Sequence, residues 1–434
     1  MNPLYRNDRP GQFPRSWYAA STDIPPERPP LHGATTADVC VIGAGYTGLS
    51  AARHLAARGM DVVVLDAHRA GFGASGRNGG QVGTGFNISQ QRLEAKYGGA
   101  LAKDLWLLAE EAKQDLRDFC TAHAPDARYM PGVAHGCYSK AEAAEETAIA
   151  EHLATHYNYP HISSLDKDGF ADIVKSPRYQ GGTLDMGAGH LHPLRYALAL
   201  ARAAEAAGAR IYDRSEVHDV APGDPSEIRT NRGRVHASHV IFAGNGYLPH
   251  INRPIAAKVM PINSFICATA PLGDKAAEIL TRDIAVADSK FVVNYFRLSE
   301  DHRLLFGGRE SYTIAFPKDI QTALINRMTG LFPQLDGVKV DYVWGGTLAI
   351  TMSRLPAIQR VGPNMVSGAG FSGHGVALSG LAGKVMAEAV AGQAGRFDTL
   401  NALQIPNFPG GAAFRGPLLT LAMTWYALRD RLGI

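Results

Sequence analysis

The pattern of apolar and polar positions first becomes regular near Ala37. Residues 38–42 are a short apolar run, residues 45–58 place Leu49, Ala52, Leu55 and Ala56 at helical spacing, and residues 62–65 are a second apolar run ending at Asp66. A short continuous apolar run reads as a strand covered on both faces, and apolar positions three and four apart read as one face of a helix. Gly59 stops that helix before the second strand. The three elements make one β-α-β unit. Further on, helices are predicted over 101–119 and 141–156 in a charge-rich stretch that looks inserted. Another is predicted over 193–207, with Pro193 well placed in its first turn. Strands are predicted at 210–212 and 235–242. The runs 264–269, 291–297 and 303–308 suggest a larger antiparallel sheet, and residues 364–392 return to strand, glycine turn and helix. Residues 1–36 are rich in Pro and Arg and read as an irregular leader pinned by Trp17 and Tyr18. Residues 396–434 read as a tail, whose amphipathic stretch 417–432 is expected to pack on the same chain. No internal repeat is visible.

Composition narrows the classes. A chain of 434 residues exceeds one compact core and suits two domains. With 43 basic and 40 acidic residues and no basic block, nucleic acid is not an expected partner. The four cysteines form no CxxC pair, so neither a metal site nor a disulfide framework is expected. The N-terminus lacks an apolar signal core, and no apolar stretch is long enough for an integral membrane segment. The expected location is the cytoplasm.

The chemistry is carried by glycines. Gly43-Ala44-Gly45-Tyr46-Thr47-Gly48 follows the first strand and opens the first helix. In this setting Gly43 allows the tight turn, Gly45 lets the backbone approach a pyrophosphate, and Gly48 lets helix pack on strand. The helix N-terminus offers free N–H groups to the phosphates. Asp66 can accept both ribose hydroxyls, and its charge disfavours a 2′-phosphate. Three further segments separate FAD from NAD. The loop 71–81 contains Gly73, Ala74, Ser75, Arg77, Asn78, Gly79, Gly80 and Gln81, with Arg77 expected near a phosphate or flavin oxygen. The strand end Ala243-Gly244-Asn245 lets the chain pass a bulky cofactor. Gly370-Phe371-Ser372-Gly373-His374-Gly375 opens a last helix, whose positive end suits the reduced flavin's negative edge. Ala67 and Val217 complete the expected cofactor contacts.

Taken together, GAGYTG, GASGRNGGQ, AGNG and GAGFSGHGVALSG resemble the D-amino-acid oxidase and sarcosine oxidase superfamily of FAD enzymes. Within it the chain is most similar to gamma-glutamylputrescine oxidoreductases, which open with a similar Trp-Tyr-Ala-Ala leader. The likeness spans about residues 17–393 and includes 189–194, 295–297, 307–309 and 344–346. It implies a mixed α/β (α+β) fold in two discontinuous domains. A Rossmann-like FAD-binding domain is expected at 37–90, 185–250 and 341–395. A mixed-sheet substrate domain is expected at 91–184 and 251–340. Some members bond FAD through a cysteine in the C-terminal third. Here no cysteine follows Cys267 and the 71–81 loop has no histidine, so FAD is expected to be non-covalent.

The implied reaction oxidises a C–N bond of a small amine, gamma-glutamylputrescine or similar. Hydride passes to flavin N5, the imine hydrolyses to an aldehyde, and O2 takes the electrons to give H2O2. Candidate pocket residues are His374, His192, Tyr295 and Arg297, the last to hold a carboxylate bidentately. Lys258, Arg309 and Arg354 are weaker candidates of that kind. Sarcosine oxidases carry an oxygen-activating lysine whose position falls near Leu305 here, which leaves another electron acceptor open. Two other readings stand beside this one: an oxidase of sarcosine- or glycine-like compounds, and an FAD-binding relay or structural subunit of a complex.

Overall fold

The β-α-β unit read from the sequence is the centre of the first sheet. In the computed structural model, which describes residues 3–248, 251–311 and 315–409, the strand Gly33–Ile42 lies between Gly233–Phe242 and Val62–Leu65, parallel to both. The sheet runs Ala357–Gly362, Met365–Ala369, Gly233–Phe242, Gly33–Ile42, Val62–Leu65, Arg210–Tyr212. The ribbon Val217–Ala221 and Ser226–Thr230 pairs antiparallel onto Gly233–Phe242. Val39, Cys40, Val41, Val62, Val63 and Val64 are fully buried, which is why these strands read as continuous apolar runs. The first strand begins at Gly33, earlier than its apolar run. Its opening half, Gly-Ala-Thr-Thr-Ala-Asp, lies at the rim with mostly exposed side chains. Residues 33–36 therefore belong to the sheet and not to the leader.

Two helices, Tyr46–Ala56 and Gly375–Val390, pack directly on each other. Their approach is closest at Gly383, where a Cβ would stand 2.2 Å from the Thr47 carbonyl oxygen. Ser50 Oγ donates to the Gly380 carbonyl beside it, at 2.7 Å. The long helix Gly99–His123 sends Ala102, Leu105, Leu108, Ala112, Leu116 and Phe119 into this same core.

The second sheet runs Val340–Ile350, Met260–Thr269, Leu304–Ser311, Tyr295–Leu298, Ala285–Asp288, Met130–Cys137, Gly181–His190, Gln81–Val82, with Ile162–Leu165 paired to Gly181–His190. It is antiparallel except where Ala285–Asp288 runs parallel to Met130–Cys137, so it is mixed. One face puts Phe265, Cys267, Phe296, Leu304 and Phe306 against the helix Gln321–Leu331. The other meets the first domain and the leader, where Ile266, Leu305 and Trp344 pack with Trp17, Tyr18 and Leu194.

These pairings shift the expected domain limits. Residues 81–82, 185–190 and 341–350 lie in the second sheet, although 37–90, 185–250 and 341–395 were expected in the first domain. Residues 91–184 are not one unit, because the helix Gly99–His123 belongs to the first core. The start of the tail, residues 396–409, packs on the body of the chain: Phe397 and Leu400 join the first core, and Phe408 packs on Met260, Ile262 and Ile350. Periodicity identifies an element but not its long-range partner. The stretch 417–432 lies outside the described residues. The predicted strand 291–297 starts late, at Tyr295, because the buried Asp288 carboxylate gathers the backbone N–H of Lys290 (3.3 Å) and Asn294 (2.9 Å) and bends the chain into a turn.

Candidate cofactor and active site

At the first glycine turn, Gly43 has φ +107°, a backbone that L side chains rarely adopt. A Cβ on Gly48 would stand 1.9 Å from the Gly43 carbonyl oxygen, so the helix can lie this close only with glycine there. Gly45 caps the helix Tyr46–Ala56 with no side-chain hydrogen bond of its own. Ser75 Oγ, from the 71–81 loop, accepts from Tyr46 N at 3.0 Å. That loop is anchored by Gly71 N donating to the Ala44 carbonyl at 2.8 Å, which brings Gly73 and Ala74 alongside.

Asp66 lies at the end of the next strand. Its Oδ2 accepts from Ala44 N and its Oδ1 from His68 N, both at 2.8 Å. Burial pushes this carboxyl up to about 7 despite those two donors. Each oxygen keeps a lone pair for a further donor. Ser215 N donates to the Asp66 carbonyl at 2.7 Å, so the segment leading into Val217 runs beside Asp66 and Ala67. A turn that rejects a Cβ, a helix start without a side-chain cap and a buried acidic acceptor together fit the ADP half of FAD.

The other glycine segments converge on this turn. A Cβ on Gly43 would stand 2.9 Å from the Ala243 backbone and from Gly244 Cα. Asn245 Oδ1 accepts from Gly370 N at 3.0 Å, joining the AGNG strand end to the last glycine turn. That turn holds Gly370 (φ +75°), Ser372 (φ +55°) and Gly373 (φ +86°), and opens the helix Gly375–Val390, also without a side-chain cap. Phe371 is buried, and its ring side of the turn leaves no room for a Cβ at Gly375. The His374 ring lies against Gly83, 2.3 Å from where a Cβ would be. Its Nε2 is buried with no hydrogen-bond partner among the described residues. Burial pushes this imidazole down to about 4, so it is neutral at pH 7. Tyr295 meets Gly79 and Gly307 with its ring, and its hydroxyl is 3.1 Å from Ser264 Oγ.

Five residues nominated from the sequence have side chains engaged within the protein. Arg77 is buried, with NH1 on the Asp8 carboxylate at 2.9 Å, Nε donating to the Phe72 carbonyl at 2.7 Å, and the guanidinium over the Phe72 ring. Its NH1 charge is met by the leader's Asp8, while its NH2 is buried with no hydrogen-bond partner among the described residues. Arg297 donates to the carbonyls of Gly79 (3.0 Å), Leu191 (3.1 Å) and Leu298 (3.3 Å). It fixes the glycine loop and cannot also grip a carboxylate bidentately. His192 caps the helix Pro193–Ala206: its Nδ1 accepts from Arg195 N at 3.3 Å, and Nε2 is 3.1 Å from Ser21 Oγ. Burial holds this ring well below the usual histidine range, so it is neutral, and both nitrogens are engaged. Asn78 staples its own loop, accepting from Gly80 N at 2.7 Å and donating to the Ala74 and Ser75 carbonyls. Gln81 Nε2 donates to the Val286 carbonyl, which ties the loop to the second sheet. Leu305 is buried between Trp17 and Trp344. The Arg309 side chain lies outside the described part.

The sequence reading missed Asp8 and Gly383. Asp8 carries no local signal, whereas Gly383 stands inside a helical pattern, where a glycine costs about 1 kcal/mol against alanine and points to close packing. Replacing Arg297 with Met is expected to lower stability by about 3 kcal/mol, since several buried carbonyls lose a charged donor. The urea midpoint of the purified variant measures this.

Among the described residues no group of three or more His, Cys, Asp or Glu could hold a metal ion, and no helix is long and apolar enough to cross a membrane. The sequence profile of the family described as FAD dependent oxidoreductase (DAO) matches residues 38–389. The chain is 42% identical to the probable oxidoreductase OrdL of Rhizobium meliloti over 417 residues, covering 96% of this chain and 97% of that one. It is 38% identical to the gamma-glutamylputrescine oxidoreductase of Escherichia coli, covering 96% and 99%. Among solved structures, glycine oxidase from Geobacillus kaustophilus superposes with a TM-score of 0.69 at 20% identity, covering 82% of this chain and 95% of that one.

Proposed function

Since the chain belongs to the DAO family of FAD-dependent oxidoreductases, we propose that it oxidises the terminal amine of a gamma-glutamylated diamine such as gamma-glutamylputrescine. The observation that carries this substrate is the engagement of Arg297. A glycine- or sarcosine-like substrate needs its carboxylate gripped close to the reacting nitrogen, and the cation best placed for that is committed to the Gly79 and Leu191 carbonyls. A diamine conjugate carries its carboxylate at the far end and makes no such demand. The 38% identity to a gamma-glutamylputrescine oxidoreductase over nearly its whole length agrees.

FAD, when bound, accepts the hydride from the carbon beside the amine nitrogen. The chain's own residues do the rest. Asp66 and the start of the helix Tyr46–Ala56 would hold the ADP half, and the N–H groups at the start of Gly375–Val390 would favour negative charge on the reduced ring. His374, neutral and unpartnered at Nε2, is the group available to take a hydrogen bond from the substrate amine. Tyr295, with its ring against Gly79, lines the glycine loop. FAD is held without a covalent link in this reading, since no cysteine follows Cys267 and the 71–81 loop has no histidine, and four free buried cysteines suit a reducing cytoplasm.

O2 is the electron acceptor in this reading. The apolar setting of Leu305, where sarcosine oxidases place a lysine, favours a second reading with a non-oxygen acceptor. Anaerobic mixing with gamma-glutamylputrescine is expected to bleach the flavin near its visible maximum, whereas sarcosine and glycine leave it yellow. Admitting air and measuring peroxide then separates oxidase from dehydrogenase. Bleaching by sarcosine alone would overturn the substrate assignment, and no bleaching by any amine would leave the relay subunit.

A further inference from the structure

With Arg297 engaged, the question is which cation receives the far carboxylate. Residues 351–355 leave the edge strand Val340–Ile350 and turn beside the last glycine cradle. Thr351 N donates to Ser372 Oγ at 3.2 Å, and Thr351 Oγ1 donates to the Leu355 carbonyl at 2.7 Å. Thr351 Cγ2 would lie 2.6 Å from a Cβ on Gly370, so this turn presses on the cradle itself. Within it Arg354 has φ +63°, a left-handed backbone that costs a non-glycine residue about 1 kcal/mol or more. Its N–H donates to the Thr351 carbonyl at 3.3 Å, which holds it there. The half-buried Arg354 guanidinium makes no hydrogen bond or ion pair among the described residues; it lies over the Phe291 ring, 5.9 Å from the centroid. Phe291 stands on the turn 289–294 that Asp288 organises in the second sheet, immediately before Tyr295. Val293 on that turn and Met352 beside Arg354 are two of the few large apolar side chains left exposed.

We propose that Arg354 and Phe291, meeting across the seam between the last glycine cradle and the second sheet, form a subsite for the terminal carboxylate of a long amine substrate. The proposal rests on the diamine-conjugate reading of the site and names its specificity residue. A free guanidinium is a planar fork for a carboxylate. The ring beneath it limits its rotation and partly desolvates it. Val293 and Met352 supply apolar surface for a methylene chain. A strained backbone at the only cation of the turn is the kind of feature that persists when a site needs the side chain in one place.

Binding to the FAD-loaded protein tests this without turnover. Two ligands that cannot be oxidised at a terminal amine are compared by calorimetry: gamma-glutamyl butylamide, which has the carboxylate, and N-butylacetamide, which lacks it. Arg354→Gly relaxes the left-handed backbone, so its thermal midpoint is expected at or above the wild-type value. The same change is expected to weaken gamma-glutamyl butylamide about 10- to 100-fold and to leave N-butylacetamide unchanged. Arg354→Lys is expected to recover only part of the loss, as a point charge without the fork. Equal effects on both ligands, no effect on either, or failure of the wild type to prefer the carboxylated ligand overturns the subsite. If gamma-glutamylputrescine does not bleach the flavin but Arg354→Gly still loses the carboxylated ligand selectively, the subsite stands and the substrate reading falls.

Discussion

Alanine at Gly383 is expected to give a protein that purifies with little or no FAD and unfolds at a lower urea concentration. The new Cβ would stand 2.2 Å from the Thr47 carbonyl oxygen, 2.8 Å from Ala51 N and 2.8 Å from Ser50 Cβ. All three atoms belong to the backbone or first side-chain carbon of the helix Tyr46–Ala56, so no rotamer change relieves the contact. Overpacking of a core costs about 1–3 kcal/mol, and a collision with helix backbone belongs at the upper end. The helices must part, and the two N-termini that address the phosphates and the ring then lose their mutual placement. The Ser50 Oγ to Gly380 carbonyl bond is strained by the same movement. The loss should therefore appear twice, in the ratio of flavin to protein absorbance and in the urea midpoint. Gly99→Ala is the control, since its Cβ meets nothing within 4 Å and its backbone is not left-handed. If Gly383→Ala keeps both FAD and stability, close helix approach is not what positions the cradle.

The contrast between Gly48 and Gly383 shows how far the sequence could be read. Gly48 sits in a spaced motif between a strand and a helix, so its packing role follows from local order alone. Gly383 does the same work in a helix whose partner lies more than three hundred residues earlier, and nothing nearby in sequence names that partner. The parallel strands were legible because burial on both faces gives an unbroken apolar run, as at Val62–Leu65. The strand Val340–Ile350 was legible as a strand, but its sheet was decided by register with Met260–Thr269, which no periodicity records. The engagement of Arg297 and Arg77 was illegible for a related reason. Arg297 and Tyr295 do share a sheet face, as alternation predicts, and Tyr295 does meet the glycine loop. Whether Arg297 is free depends on the carbonyls of Gly79 and Leu191, which come from two distant loops. The partner of Arg77 NH1 is likewise Asp8, in a leader that shows no periodicity. Polar satisfaction is a three-dimensional property, and buried donors find partners wherever the fold brings carbonyls.

The affinity for FAD is expected to rise with pH through about 7 and to level off above it, and Asp66→Ala is expected to abolish most of it. The carboxyl of Asp66 is raised from 3.8 to about 7, with burial the leading cause, opposed by the N–H groups of Ala44 and His68. A carboxyl raised on folding binds its proton more tightly in the folded chain. Its contribution to the stability of the FAD-free protein is therefore full below about 4 and is lost as pH climbs through about 7. That protein should be more stable in mild acid than at alkaline pH, and Asp66→Asn should flatten this slope. FAD reverses the preference, because two ribose hydroxyls donating to the oxygens stabilise the ionised form. Below about 7, binding must expel the proton, and affinity falls by up to about tenfold per pH unit. Removing the carboxylate altogether loses two charge-assisted hydrogen bonds, which corresponds to about 100-fold or more in affinity. Titrating the FAD-free protein with FAD on both sides of pH 7, and following the quenching of flavin fluorescence, measures all of this. An affinity independent of pH, together with normal binding by Asp66→Ala, would show that the ribose is held elsewhere. The expected pairing, acid-stable without cofactor and acid-labile in its grip on it, follows from a single carboxylate placed where β-strand, glycine turn and ribose compete for its charge.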